Sequence, residues 1–156
     1  MEKQEYERIV RVYIDDVFRT ALACCRNRSE AEDAVQNTFL KLMTSAPNFT
    51  DEEHIRRWLI RVAVNESKNF LKSAWRRNVS YLDELENEPV RDSSRDDGLL
   101  DVIGSLPVKY SSVLHLFYYE GYRCSEIAEL LHISESNVQT RLMRARNMLK
   151  KQLEEA

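Results

Sequence analysis

The 156-residue sequence predicts an all-α protein of two small helical domains joined by a flexible acidic linker. Three observations lead there. Only three glycines and three prolines occur, so turn chemistry is scarce while good helix formers recur. Apolar residues return with the helical period over long stretches. Charge is segregated behind a formal net value of −3: residues 56 to 77 carry seven bases and one acid, residues 136 to 152 five bases and no acid, and residues 80 to 101 eight acids and two bases.

In chain order, periodicity from about Gln4 to Cys25 places Ile9, Val12, Tyr13, Val17, Ala21 and Cys24 on one helical face. A second helix starts at Ser29, which with Glu32 three residues on has capping-box spacing; its stripe is Ala31, Val35, Phe39 and Leu42, and it stops near Ser45 before Pro47. A third runs from Glu52 to about Trp75 and buries Ile55, Leu59, Val62, Ala63 and Phe70. Glu66 falls within that apolar stripe, and the sequence supplies no reason for it. At 100° per residue, Arg57, Arg61, Lys68 and Lys72 share a sector of about 60° away from the stripe, a basic ridge bordered by Trp58, Asn65, Asn69 and Arg76. Such a ridge is equally the solvated face of an ordinary amphipathic helix.

The first domain thus spans residues 1–78. Over 79–98 periodicity fails, acids dominate, and Pro89, Ser93, Ser94 and Gly98 occur, which reads as a linker. The second domain, 99–156, opens with Leu99, Leu100, Val102, Ile103 and Leu106, breaks at Pro107, and resumes from Val108 to Glu120 before a helix-ending Gly121. Residues 124 to 146 have the spacing of a helix-turn-helix: a short helix Ser125 to Leu131, a turn at His132, Ile133 and Ser134, and a longer helix from Glu135. Ala128 is small where two crossing helices meet, Ser134 is placed to cap the second, and His132 stands where a turn often needs positive φ. On the second helix Val138, Leu142, Ala145 and Leu149 face inward. Ser136, Thr140, Met143, Arg144, Asn147 and Lys151 are left outward, a face suited to a DNA major groove, with Arg and Asn for base edges and basic flanks for phosphates.

Other chemistries lack a signature. The three cysteines (Cys24, Cys25, Cys124) are odd in number and without C-x-x-C spacing, so they read as reduced and mostly buried. His54, His115 and His132 lie far apart with no metal-ligand spacing, and neither a G-x-S-x-G nor a P-loop occurs, so no catalytic or metal site is expected. No apolar run approaches the roughly 20 residues of a membrane span, and the N-terminus lacks a signal peptide's regions, so a cytoplasmic protein is expected.

Glu32-Asp-Ala-Val-Gln-Asn-Thr-Phe-Leu40, the run from Trp58 to Asn65, Leu106-Pro-x-x-Tyr110, Glu120-Gly121 and Glu126-Ile-Ala128 together resemble the extracytoplasmic-function group of sigma-70-type factors, across nearly the whole chain. The resemblance implies an RNA polymerase sigma factor, not an enzyme, without cofactor or small-molecule substrate. Its first domain would be a sigma region 2 bundle and its second a sigma region 4 helix-turn-helix. Partners implied are core RNA polymerase (the largest-subunit clamp helices and the beta flap), promoter DNA, and an anti-sigma factor that could hold the chain at the membrane. By this resemblance Asp33, Gln36, Asn37 and Leu40 dock on the polymerase, with Asn37 standing where the family often has Glu. Asn48, Phe49, Thr50, Trp58, Arg61, Asn65, Lys68, Asn69 and Lys72 hold the minus-10 strand. Ser134, Ser136, Gln139, Thr140, Arg141, Met143, Arg144, Asn147 and Lys150 read the minus-35 element. The acidic linker would thread the polymerase's active-centre cleft and RNA exit path. The competing reading, a stand-alone helix-turn-helix regulator, accounts for residues 99–156 only.

Overall fold

The computed structural model describes residues 1–77, 103 and 105–155, with side chains for all of these except 71–77. The linker expected over 79–98, the apolar start at Leu99, Leu100 and Val102, and the side chain of Lys72 lie outside the described residues. Six α-helices and no strand make up the described residues.

Helices α1 (Lys3–Cys24), α2 (Arg28–Ser45) and α3 (Glu52–Arg77) each pack against the other two. Their shared core holds Ile9, Val17, Ala21, Ala31, Val35, Phe39, Leu42, Ile55, Leu59 and Ala63. Burial of each large apolar side chain contributes about 1.5–3 kcal/mol, enough to order three helices that would be marginal alone. Two local expectations shift. The cap of α2 is Asn27, whose side-chain oxygen accepts from the Glu30 backbone N at 2.9 Å, two residues ahead of Ser29. Val12, which periodicity places on the apolar face of α1, is 55 % exposed. Ala23, on the same side of α1 and three turns on, is buried because the C-terminal half covers that end alone, where Ser111 Oγ donates to the Ala23 carbonyl at 2.7 Å.

Glu66 is 6 % exposed, and one carboxylate oxygen lies 2.6 Å from Lys41 Nζ while the other accepts from Asn37 Nδ2 at 3.4 Å. A buried carboxylate needs such partners, and both come from α2. The polar interruption of the α3 stripe is therefore a fastening between α2 and α3.

The second half begins with buried Ile103 and Leu106, then α4 (Val108–Leu114), which continues as a π-helical turn, His115–Tyr119. Gly121 follows at φ +73°, the left-handed backbone expected of a helix-ending glycine. Helix α5 (Cys124–Leu131) and the long α6 (Glu135–Glu155) complete the chain. Their core joins Val113, Leu114, Leu116, Ile127, Leu130, Val138, Leu142 and Ala145, and it is continuous with Cys24, Ile60 and Val64 of the first half. The two halves therefore share apolar surface. All three cysteines are free thiols, and burial pushes the Cys25 thiol up to about 12, so it stays protonated and unreactive.

Candidate nucleic-acid interface

The helix-turn-helix forms as its residues dictate. Helix α5 is fixed at its start by Glu126, whose carboxylate accepts the Arg123 backbone N–H at 3.0 Å, and it ends at His132, which adopts φ 56°, ψ 46°. The left-handed turn is sterically costly for most side chains, and the short polar-edged His tolerates it. Ser134 Oγ accepts the Asn137 N–H at 3.1 Å and so starts α6. On α6, Val138, Leu142 and Ala145 are buried, while Ser136, Gln139, Met143, Arg144, Asn147 and Lys150 are exposed and Thr140 half-buried. Two expected readers are partly committed: Ser134 to the cap, and Arg141 to Asn137, whose Oδ1 accepts from its Nε at 3.2 Å.

Along α3 the ridge is built from Arg57, Arg61 and Lys68, with Asn65 and Asn69 exposed beside it. Of the three only Arg61 is exposed, Arg57 and Lys68 being half-buried. The Arg57 guanidinium reaches across the molecule to Glu126, 2.8 Å away, and lies 4.8 Å over the Tyr122 ring. Lys68 Nζ donates to the Leu130 carbonyl at 2.9 Å, near the end of α5 where carbonyls lack helical partners and a cation is favoured.

The loop before α3 divides its residues. Asn48 and Thr50 are exposed, whereas Phe49 turns inward, with its ring edge-on to Trp58 at 5.7 Å and to His54 at 5.1 Å. Trp58 therefore packs with the loop and the core of the first half rather than standing free along the ridge. A shallow pocket bounded by Glu5, Met43, Pro47, Asn48 and Phe49 opens at this point. On α2, Asp33, Gln36 and Leu40 form one exposed strip, Leu40 being 57 % exposed, while Asn37 is half-buried and turned toward Glu66.

Sequence spacing carries no sign of a polar cluster between the halves. Asp16, His115 and Glu120 bring their ligating atoms within 4.8 Å of one another. The π-helical turn makes this possible: the Glu120 N–H bonds to the His115 carbonyl at 3.1 Å, so two residues five apart stand on one side. Thr20 Oγ1 donates to the Asp16 carbonyl at 2.9 Å and lies 2.9 Å from His115 Nε2, which itself stands 3.3 Å from Glu120 Oε1. The other Glu120 oxygen holds Arg56 at 2.6 Å. With His115 and Glu120 already engaged in these bonds, the cluster is a hydrogen-bonded fastening, although its donor types would also suit a divalent cation. Burial, followed by a hydrogen bond to Glu120, raises the Asp16 carboxyl to about 7, and burial lowers His115 to about 4.

Two family models match this chain: sigma-70 region 2 over residues 9–77 and sigma-70 region 4 over residues 97–149. Similar proteins include the ECF RNA polymerase sigma-E factor of Haemophilus influenzae, 30 % identical over 82 % of this chain and 77 % of that one. RNA polymerase sigma factor SigV of Bacillus subtilis is 27 % identical over 88 % and 84 %. Among solved structures, the sigma factor RpoE of Bartonella quintana, crystallised with the anti-sigma factor NepR, superposes with a TM-score of 0.66 at 19 % identity over 97 % of this chain and 98 % of that one, a likeness of fold. No helix among the described residues is long and apolar enough to cross a membrane.

Proposed function

The chain belongs to the extracytoplasmic-function group of sigma-70-type RNA polymerase sigma factors, and from that premise we propose how its surfaces divide promoter recognition. The observation that carries the division is the outward face of α6, where Gln139, Met143, Arg144 and Asn147 are exposed on a helix whose opposite face is core. That face enters the major groove at the minus-35 element, and Lys150 beyond it contacts phosphate. The α3 ridge with Asn48 and Thr50 takes the minus-10 strand. Asp33, Gln36 and Leu40 dock on the clamp helices of core polymerase, and an anti-sigma factor regulates the whole. The units are residues 1–78 and 99–156. The chain supplies recognition and no catalysis, and it acts in the cytoplasm at the nucleoid. Co-purification with core polymerase and run-off transcription on genomic fragments test this reading. An operator-binding dimer that ignores core polymerase would overturn it.

Two substitutions separate the roles on α6. Arg144→Ala is expected to weaken duplex binding by about 1–3 kcal/mol and to relax discrimination at one base pair. Lys150→Ala is expected to weaken all sequences alike and to flatten the salt dependence. Filter binding across minus-35 variants at several salt concentrations reads both, and identical profiles for the two would remove the assignment.

On α2, Gln36→Ala is expected to lower core-polymerase affinity while changing stability by less than about 0.5 kcal/mol, since its side chain is exposed. Asn37→Ala is expected to differ, costing stability, because its amide serves the buried Glu66. A core-binding titration beside a urea melt distinguishes them.

A further inference from the structure

Helix α3 begins with a hydrogen-bonded frame that reaches back into the loop before it. Asp51 caps the helix: its Oδ1 accepts the His54 N–H at 2.8 Å and its carbonyl accepts the Ile55 N–H at 3.2 Å. In the usual reciprocal cap, the side chain three residues on returns to the N–H of the capping residue itself. Here it returns one residue earlier, since His54 Nδ1 accepts the Thr50 N–H at 3.1 Å and stands 3.4 Å from the Thr50 hydroxyl. A backbone N–H can only donate, so Nδ1 offers a lone pair and the neutral ring carries its proton on Nε2. The ring also packs. His54 and Trp58 stand one turn apart on α3, and the Phe49 ring lies edge-on to both, 5.1 Å from the first and 5.7 Å from the second. One side chain thus engages two consecutive loop residues, Phe49 turned inward and Thr50 exposed beside it.

We propose that His54 is the positioning residue of the minus-10 loop: through Nδ1 it fixes the Thr50 backbone, and with it the arrangement in which Asn48 and Thr50 meet the strand. This rests on the reading of that loop as a strand-binding surface. A loop that selects a base does so best when its polar side chains are held in one geometry before the strand arrives, because ordering them on binding subtracts from affinity. The imidazole belongs to the first turn of α3 and Thr50 to the loop, so their bond extends the order of the helix into the loop. Without it the loop samples other arrangements, and affinity for the preferred strand falls with the fraction that stays competent. A hydrogen bond of ordinary net strength shifts such an equilibrium by about three- to tenfold. Contacts made through charge alone, as at the exposed Arg61, do not depend on the loop. His54 therefore governs selectivity more than total affinity.

The test uses holoenzyme reconstituted from core polymerase and the full chain, with short single strands of randomised sequence as the pool from which the wild type enriches its preferred strand. The readout is the ratio of affinity for that strand to affinity for a scrambled one. His54→Asn sets an amide oxygen where Nδ1 stands and so keeps the acceptor without the ring, whereas His54→Phe keeps a ring beside Phe49 without the acceptor. The ratio is expected to fall about three- to tenfold in His54→Phe and to stay within about twofold of the wild type in His54→Asn, with binding of the scrambled strand unchanged in both. Circular dichroism at the assay temperature shows that both variants are folded. Any result in which His54→Asn does not hold the ratio above that of His54→Phe overturns the proposal. Asn48→Ala then separates two failures. If it lowers the ratio, the loop still reads the strand and only the role of His54 is lost; if it does not, or if the wild type enriches no strand, the reading of the loop falls as well.

Discussion

Leu142→Ala is expected to destabilise the C-terminal half by about 2–5 kcal/mol, whereas Met143→Ala, one residue on, should change stability by less than about 0.5 kcal/mol. Leu142 is 2 % exposed in the core that joins α6 to Ile127 and Leu130 of α5 and to Leu114 and Leu116 before them. Removing its branched end leaves a cavity that neighbouring helices fill only in part, and the cost has both a transfer and a cavity component. Met143 is 54 % exposed and touches little that could collapse. Urea melts followed by circular dichroism should separate the two midpoints widely. Equal midpoints would mean that the two faces of α6 have been assigned the wrong way round. Duplex binding should follow the reverse order at a temperature where both variants are folded.

How far the sequence discloses this protein depends on how local the cause is. The αL turn at His132, the Ser134 cap and the inner face of α6 follow from residues within a few positions of one another, and the structure has them as expected. The start of α2 moves to Asn27 because two good capping residues, Asn27 and Ser29, compete and spacing alone does not rank them. Glu66 stays unexplained in one dimension because its partners Lys41 and Asn37 belong to a different helix. The same partnership turns Asn37 away from the exposed strip that Asp33 and Gln36 share. The junction is the least legible part. Thr20 meets His115 across 95 positions and Arg56 meets Glu120 across 64, and nothing in either neighbourhood announces the other. Each of these polar residues, met in sequence, looks like a member of a solvated face.

Acid should leave the docking of the two halves, the closed chain, nearly indifferent in the wild type between about pH 4 and 6.5, while Asp16→Asn should make that closure strongly acid-labile over the same range. His115 is 2 % exposed, and burial takes it from an ordinary 6.5 to about 4. Between those values the open chain binds the proton and the closed chain does not, so closure weakens as pH falls. On its own the displacement of His115 corresponds to on the order of 3 kcal/mol. Asp16 works in the opposite sense. Burial and its hydrogen bond with Glu120 lift it from 3.8 to about 7, so the closed chain holds a proton that the open one releases, and closure strengthens as pH falls through that window. Arg56 stands near these groups and, paired with Glu53 and Glu120, keeps its charge throughout, so the two titrations oppose each other directly. Only a mild loss of closure should remain as pH rises past 6.5 toward and beyond 7. In Asp16→Asn the compensating proton is gone, and the chain should open on passing from pH 6.5 to 4. His115→Gln should show the mirror image, closure weakening from about pH 4 to 7. Scattering radii of the three chains at matched ionic strength read this directly, and an Asp16→Asn chain as indifferent to acid as the wild type would show that the junction carries no proton between Asp16 and Glu120.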